Sequence, residues 1–134
     1  TLGHKLRGQM RIACLTYFQL ASDASAKLRK SRPGGMGHAC EFETAMMQHI
    51  RPELVAIDRA QVTYPDTGTA YASTDLLGRS RIRTYYDFSD LSESGTLGDP
   101  TLASPAAGRQ FHAAVVQELI AFIEDFSSWR IPEQ

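Results

Sequence analysis

An imidazole and two carboxylates fall within six residues of one another at His38, Glu41 and Glu43, behind the glycine-rich approach of Gly34, Gly35 and Gly37. An imidazole gives or takes a proton near neutral pH, and a carboxylate can orient it. The segment reads as a strand-to-helix junction, where a flexible backbone approaches a ligand and helical amides face an anion. Gly35, Met36, Gly37 and Cys40, which surround the histidine, are candidate substrate-binding positions. On a regular helix Glu41 and Glu43 lie about 200° apart, so both cannot join His38. A helix starting near His38 puts Glu41 on its face; a loop through residue 40 lets Glu43 reach it instead.

The elements around this junction are partly readable. From Glu41 to Arg51, Phe42, Met46, Met47 and Ile50 recur near helical spacing, and Pro52 marks an end or a kink. Met10 to Tyr17 reads as a central, buried, parallel strand, with Cys14 a buried free thiol. Ser22 to Ser31 is polar and basic, with Asp23 a possible helix N-cap. Its Lys27, Arg29 and Lys30, with Arg32 beyond, read as a solvated face, the alternative being attraction of an anionic substrate. Arg81 to Phe88 alternates as a half-exposed strand does, and Asp87 and Asp90 are surface or turn carboxylates. Ser104-Pro105 supplies an N-cap and a first-turn proline, and Phe111, Val115, Leu119, Phe122 and Phe126 form the stripe of a packing helix. His112 lies beside that stripe as a boundary residue, and His4 and His49 have no evident partner.

Composition sets the outer limits. A chain of 134 residues corresponds to one domain, and a formal charge of -1 without long runs of one sign gives no footprint for nucleic acid. No apolar stretch is long enough to span a bilayer. Two unpatterned cysteines fit a reducing, cytoplasmic setting rather than a disulfide framework. The chain begins at Thr1, from which either a start residue was removed or a longer polypeptide precedes it; an N-terminal threonine nucleophile lacks any supporting motif.

Gly37-His38-Ala39-Cys40-Glu41-Phe42-Glu43-Thr44-Ala45-Met46-Met47, followed by Arg51-Pro52-Glu53-Leu54-Val55, resembles the His-Ala-Gly-Glu-Phe-Glu-Thr-Ser segment and following helix of the creatininase (creatinine amidohydrolase) family. Gly95-Thr96-Leu97-Gly98-Asp99-Pro100-Thr101-Leu102-Ala103, then Gly108 and an amphipathic helix, resembles that family's Gly-Asp-Pro turn and last helix. The resemblance implies a layered α/β fold with a mainly parallel sheet, of which residues 1-134 would be the C-terminal half, a single incomplete domain. It implies a metal-dependent hydrolase of a non-peptide carbon-nitrogen bond in a cyclic amide or formamide. His38 matches the proton-transferring histidine and Glu43 a family glutamate that acts directly, orients His38 or fixes the helix start.

Two departures accompany the resemblance. Cys40 stands where the family segment has glycine, which narrows the pocket or adds a thiol. The family's metal ligands lie upstream, including an Asn-Gly-His segment, and nothing before Met10 supplies them. Zinc or manganese is therefore expected to be held mainly by an upstream half of the same protein or by a separate chain, with no metal ligands here. A homo-oligomer is the expected assembly. The alternative to an amidohydrolase is a non-catalytic fragment or assembly subunit.

Overall fold

Residues 1–131 are described by a computed structural model. The elements in chain order are α1 (Leu2–Lys5), α2 (Tyr17–Leu20), α3 (Ser22–Leu28), β1 (Met36–His38), α4 (Glu41–Ile50), α5 (Phe88–Leu91), β2 (Leu97–Gly98) and α6 (Pro105–Ser128), with 3-10 turns at Pro52–Leu54, Ile57–Arg59 and Pro100–Leu102. Helix α6 starts as its sequence directs. The Ser104 hydroxyl accepts from the Ala107 N–H at 3.2 Å and Pro105 fills a first-turn position whose missing N–H costs no bond. Of its stripe, Phe111 and Val115 are buried and Leu119, Phe122 and Phe126 are half-buried.

Helix α4 lies against α6 and together they build the core. Phe42 meets Phe111 edge-on with ring centroids 4.7 Å apart, and Ala21, Met36, Cys40, Ala45, Ala107 and Val115 close around them. The helices approach at Gly108, where an added Cβ would stand 1.8 Å from the Ala45 carbonyl oxygen. The sequence-predicted helix from Glu41 ends at Ile50, and Pro52 opens the next 3-10 turn. Ala21, rather than Asp23, is the N-cap of α3, and Asp23 sits in the first turn, where a negative charge suits the helix dipole.

The expected sheet differs most. Among the described residues it has two antiparallel strands, β1 and β2, with Met36 opposite Gly98 and an isolated antiparallel bridge from Gly98 to Thr63. A mainly parallel sheet is not formed by these residues. Met10 to Thr16 is not a strand, Tyr17–Leu20 is helical, and Cys14 is exposed rather than buried. Residues 11 to 15 exchange no backbone hydrogen bond with any described residue, and a strand without a neighbour has nothing to pair with. Arg81 to Asp87 is likewise irregular: the N–H groups of Arg81 and Ile82 both go to the Tyr71 carbonyl, at 2.7 and 3.2 Å, which folds the segment onto a turn. No described helix is long and apolar enough to cross a membrane.

Candidate functional site

The junction between β1 and α4 chooses between the two helix geometries left open by the sequence. Strand β1 ends at His38, Ala39 turns the chain with φ of 48°, and α4 starts only at Glu41. A non-glycine residue in that left-handed region is strained, by about 1–2 kcal/mol, and is held by the bonds around it. The Ala39 N–H donates to Glu43 Oε2 at 2.6 Å, while its carbonyl accepts from the Thr44 hydroxyl at 3.2 Å. This is a relative of the capping box, with a third-position glutamate reaching back over the helix start.

The same Glu43 oxygen lies 4.0 Å from His38 Nδ1. Glu43, not Glu41, is therefore the carboxylate beside the imidazole. The His38 side chain is 61% exposed, with the Phe88 ring edge-on at 5.4 Å between centroids. At 4.0 Å the Glu43 contact is longer than a hydrogen bond, and neither ring nitrogen of His38 has a hydrogen-bond partner among the described residues.

Glu41 does structural work that the sequence reading missed. Fully buried, it accepts from the N–H groups of Lys30, at 3.0 and 3.2 Å, and Ser31, at 2.8 Å. It thus ties the start of α4 to the chain leaving α3. A buried carboxylate in a helical first turn needs donors, and that requirement was the available signal. Asp75 was also missed. Its carboxylate takes both terminal nitrogens of Arg29, at 2.5 and 3.2 Å, together with the Gly34 N–H at 2.6 Å and the Leu77 N–H at 3.0 Å. Arg29 is thereby committed to holding the glycine approach, and Arg32 stacks over the Tyr64 ring at 3.7 Å. Neither is a free cation for a substrate.

The candidate substrate-binding positions divide. Gly37 is half-buried and closely packed, since a Cβ there would come within 2.7 Å of the Leu97 carbonyl oxygen. Gly35 is buried, its carbonyl accepting from the Asp99 N–H at 3.1 Å. Met36 and Cys40 are core side chains. Burial above all, opposed by neighbouring backbone N–H groups and aided by the Glu43 charge, pushes the Cys40 thiol up to about 11. A protonated, enclosed thiol does not widen the chemistry of an open pocket.

A cavity of about 310 Å³ opens beside the junction, lined by Ala39, Thr44, Ile57, Arg59, Thr96 and Pro100 among others. Neither this cavity nor a larger cleft of about 840 Å³, lined by Asp75, Ser80 and Tyr86 among others, has His38, Glu43 or the candidate substrate-binding residues in its wall. Among the described residues no three of His, Cys, Asp and Glu converge where they could hold a metal ion. His38 and Glu43 offer two donor groups, one of whose oxygens already serves Ala39, so they do not form a complete ligand set. His49 and His112, unpartnered in sequence, meet across α4 and α6 with rings 5.6 Å apart.

Comparison with known proteins gives concordant results. The family model for creatinine amidohydrolase matches residues 2–123. A mycofactocin precursor peptide peptidase of Mycobacterium ulcerans (strain Agy99) is 34% identical over 90 residues, covering 67% of this chain and 33% of that protein. The protein of the same description from Mycobacterium tuberculosis (strain CDC 1551 / Oshkosh) is 34% identical over 88 residues, covering 66% and 32%. A Bacteroides fragilis NCTC 9343 crystal structure, provisionally described as a creatinine amidohydrolase, superposes with a TM-score of 0.78 at 21% identity, over 98% of this chain and 49% of the other. The matched region thus spans about a third of the curated relatives and half of the solved one.

Proposed function

The chain belongs to the creatininase (creatinine amidohydrolase) family, and from that premise we propose that it is the C-terminal portion of a hydrolase cleaving an amide carbon-nitrogen bond. The observation that carries this is the His38–Glu43 pair on the turn between β1 and α4, an exposed imidazole with a carboxylate oxygen 4.0 Å from its Nδ1, one residue from Ala39, which lines an open cavity. As the carbon-nitrogen bond breaks, the departing nitrogen must gain a proton, which His38 would supply. Glu43 orients the imidazole while it fixes the start of α4. A divalent cation, zinc or manganese, would be held mainly by ligands from an upstream half or a separate chain, since the described residues do not complete a set. The whole enzyme would work as a homo-oligomer.

A small cyclic amide or a formamide is the first substrate class. A peptide is the second, favoured by the 34% identity to proteins described as mycofactocin precursor peptide peptidases.

The test is made on the complete, metal-loaded assembly with a panel of cyclic amides, formamides and short peptides. His38→Ala should keep its metal content and lose turnover by roughly 10² to 10⁴. Glu43→Gln should lose less. Near-normal turnover in a folded His38 variant makes the histidine structural, and an assembly inactive on the whole panel supports a non-catalytic subunit.

A further inference from the structure

The plane of the His38 imidazole decides where its protons can be delivered, and among the described residues no hydrogen bond holds that plane. The torsion that turns an imidazole about its stem has broad wells, so an exposed histidine swings unless a neighbour stops it. Glu43, 4.0 Å from Nδ1, attracts the ring without the directionality of a hydrogen bond. Phe88 is the aromatic ring packed on the imidazole, with centroids 5.4 Å apart and planes crossing at 83°. That is the edge-to-face arrangement that ring pairs favour.

Bonds on either side fix Phe88 in place. Before it, the Tyr86 hydroxyl donates to the Thr67 carbonyl at 2.8 Å and the Tyr85 hydroxyl to Asp87 at 2.8 Å. After it, the Ser92 N–H donates to the Phe88 carbonyl at 3.0 Å and closes the turn of α5. The side chain is 46% exposed and lies outside the buried cluster around Phe42 and Phe111. Its ring is spent on His38 rather than on the core.

An aromatic anchor suits a proton-transferring imidazole. A hydrogen bond would also restrain the ring, but it would occupy a nitrogen and set the tautomer. An edge-on ring restrains the plane and leaves both nitrogens open to exchange protons. We propose that Phe88 is a positioning residue for the reaction, holding the His38 imidazole in the orientation from which it protonates the departing nitrogen. This rests on the hydrolase reading. Because Phe88 acts on the proton donor, its loss falls on kcat rather than KM. Misplacing a catalytic group by about 1 Å costs on the order of 100-fold. With the Glu43 attraction still present, losing the ring should cost about tenfold, equivalent to about 1.4 kcal/mol.

The test replaces Phe88 in the complete, metal-loaded assembly with leucine, which keeps bulk and loses the ring, and with tyrosine, which keeps the ring. Phe88→Leu should lower kcat about tenfold with KM within about twofold, and Phe88→Tyr should retain at least about half of the original kcat. With histidine-selective labelling, the carbon-bound ring protons of His38 are identified by their loss in His38→Ala. Their ring-current displacement should vanish in Phe88→Leu and persist in Phe88→Tyr. The His49 and His112 rings, 5.6 Å apart where α4 meets α6, should keep their resonances and so report an intact fold. Undiminished kcat in Phe88→Leu, an equal loss in both variants, a loss confined to KM, or His38 resonances indifferent to residue 88 overturns the proposal. Normal turnover by His38→Ala, or none by the unaltered assembly, refutes instead the reading on which it rests, and the His38 resonances then decide alone whether Phe88 fixes the ring.

Discussion

Cys40 shows how one residue can sit in the middle of a functional segment and still belong to the core. Its neighbours His38 and Glu43 face out, while its own side chain is enclosed beside Phe42 and Met36. Burial raises the thiol from 9.0 to about 11. The folded chain therefore keeps a proton that the unfolded chain releases above about pH 9. Stability from this group is complete below pH 9 and falls as pH rises toward 11, by at most about 1.4 kcal/mol per unit. Cys40→Ala should remove that slope and leave other alkaline titrations, including that of Tyr17, in place. Urea unfolding of both proteins at pH 8, 9, 10 and 11 checks it, and parallel stability curves would show the thiol to be uncoupled from folding. The exposed Cys14 should meanwhile alkylate far faster than Cys40 at pH 8 in the isolated chain, because the reagent can reach its sulfur while that of Cys40 is enclosed.

The packing of α4 on α6 depends on the absence of one side chain. An alanine at 108 would gain about 1 kcal/mol of helix propensity. It would also drive a methyl group to 1.8 Å from the Ala45 carbonyl oxygen, a backbone atom that no rotamer change can move aside. Overpacking commonly costs about 1–3 kcal/mol, and a backbone clash lies at the upper end. Gly108→Ala should therefore lower stability by about 1–2 kcal/mol net, whereas Gly3→Ala, in α1 with nothing within 4 Å, should leave it unchanged or raise it by up to about 1 kcal/mol. Denaturant midpoints compare the two, and an unchanged midpoint at 108 would mean that the helices separate without cost.

The elements legible in the sequence were those with local causes: the Ser104-Pro105 start, the Phe111 stripe and the run from Phe42 to Ile50. Met10 to Tyr17 and Arg81 to Phe88 carried strand-like patterns, but a strand requires a partner that its own residues do not specify. At the site, the His38 segment could be found by residue type. The choice of Glu43 over Glu41 could not, since it turns on Ala39 adopting a positive φ that delays the helix to residue 41. Asp75, distant in sequence, carried no signal for its bond to Gly34.

For the molecule as a whole, the site and its supports are unequally distributed. The chain holds an exposed imidazole with a carboxylate nearby, a cavity at the adjoining Ala39 and a tightly packed helix pair, yet among the described residues it gathers no three groups able to ligate one cation. Zinc is bound tightly when three or four nitrogen, sulfur or carboxylate ligands are fixed around it, and catalytic sites keep three protein ligands with one position open. His38 with Glu43, or His49 with His112, offers two, and a two-ligand site leaves most of the coordination sphere to water. The isolated chain should consequently take up zinc or manganese only weakly, with dissociation constants above about 10 µM, equivalent to less than about 7 kcal/mol of binding free energy. It should release the metal on gel filtration and hydrolyse none of the cyclic amides, formamides or peptides. Isothermal titration with metal quantification after desalting makes the measurement, and adding the complementary half under the same conditions should restore both stoichiometric metal and turnover. Stoichiometric zinc retained by the isolated chain, together with hydrolysis abolished by His38→Ala, would place a complete centre within these residues and displace the proposed division of labour with an upstream half.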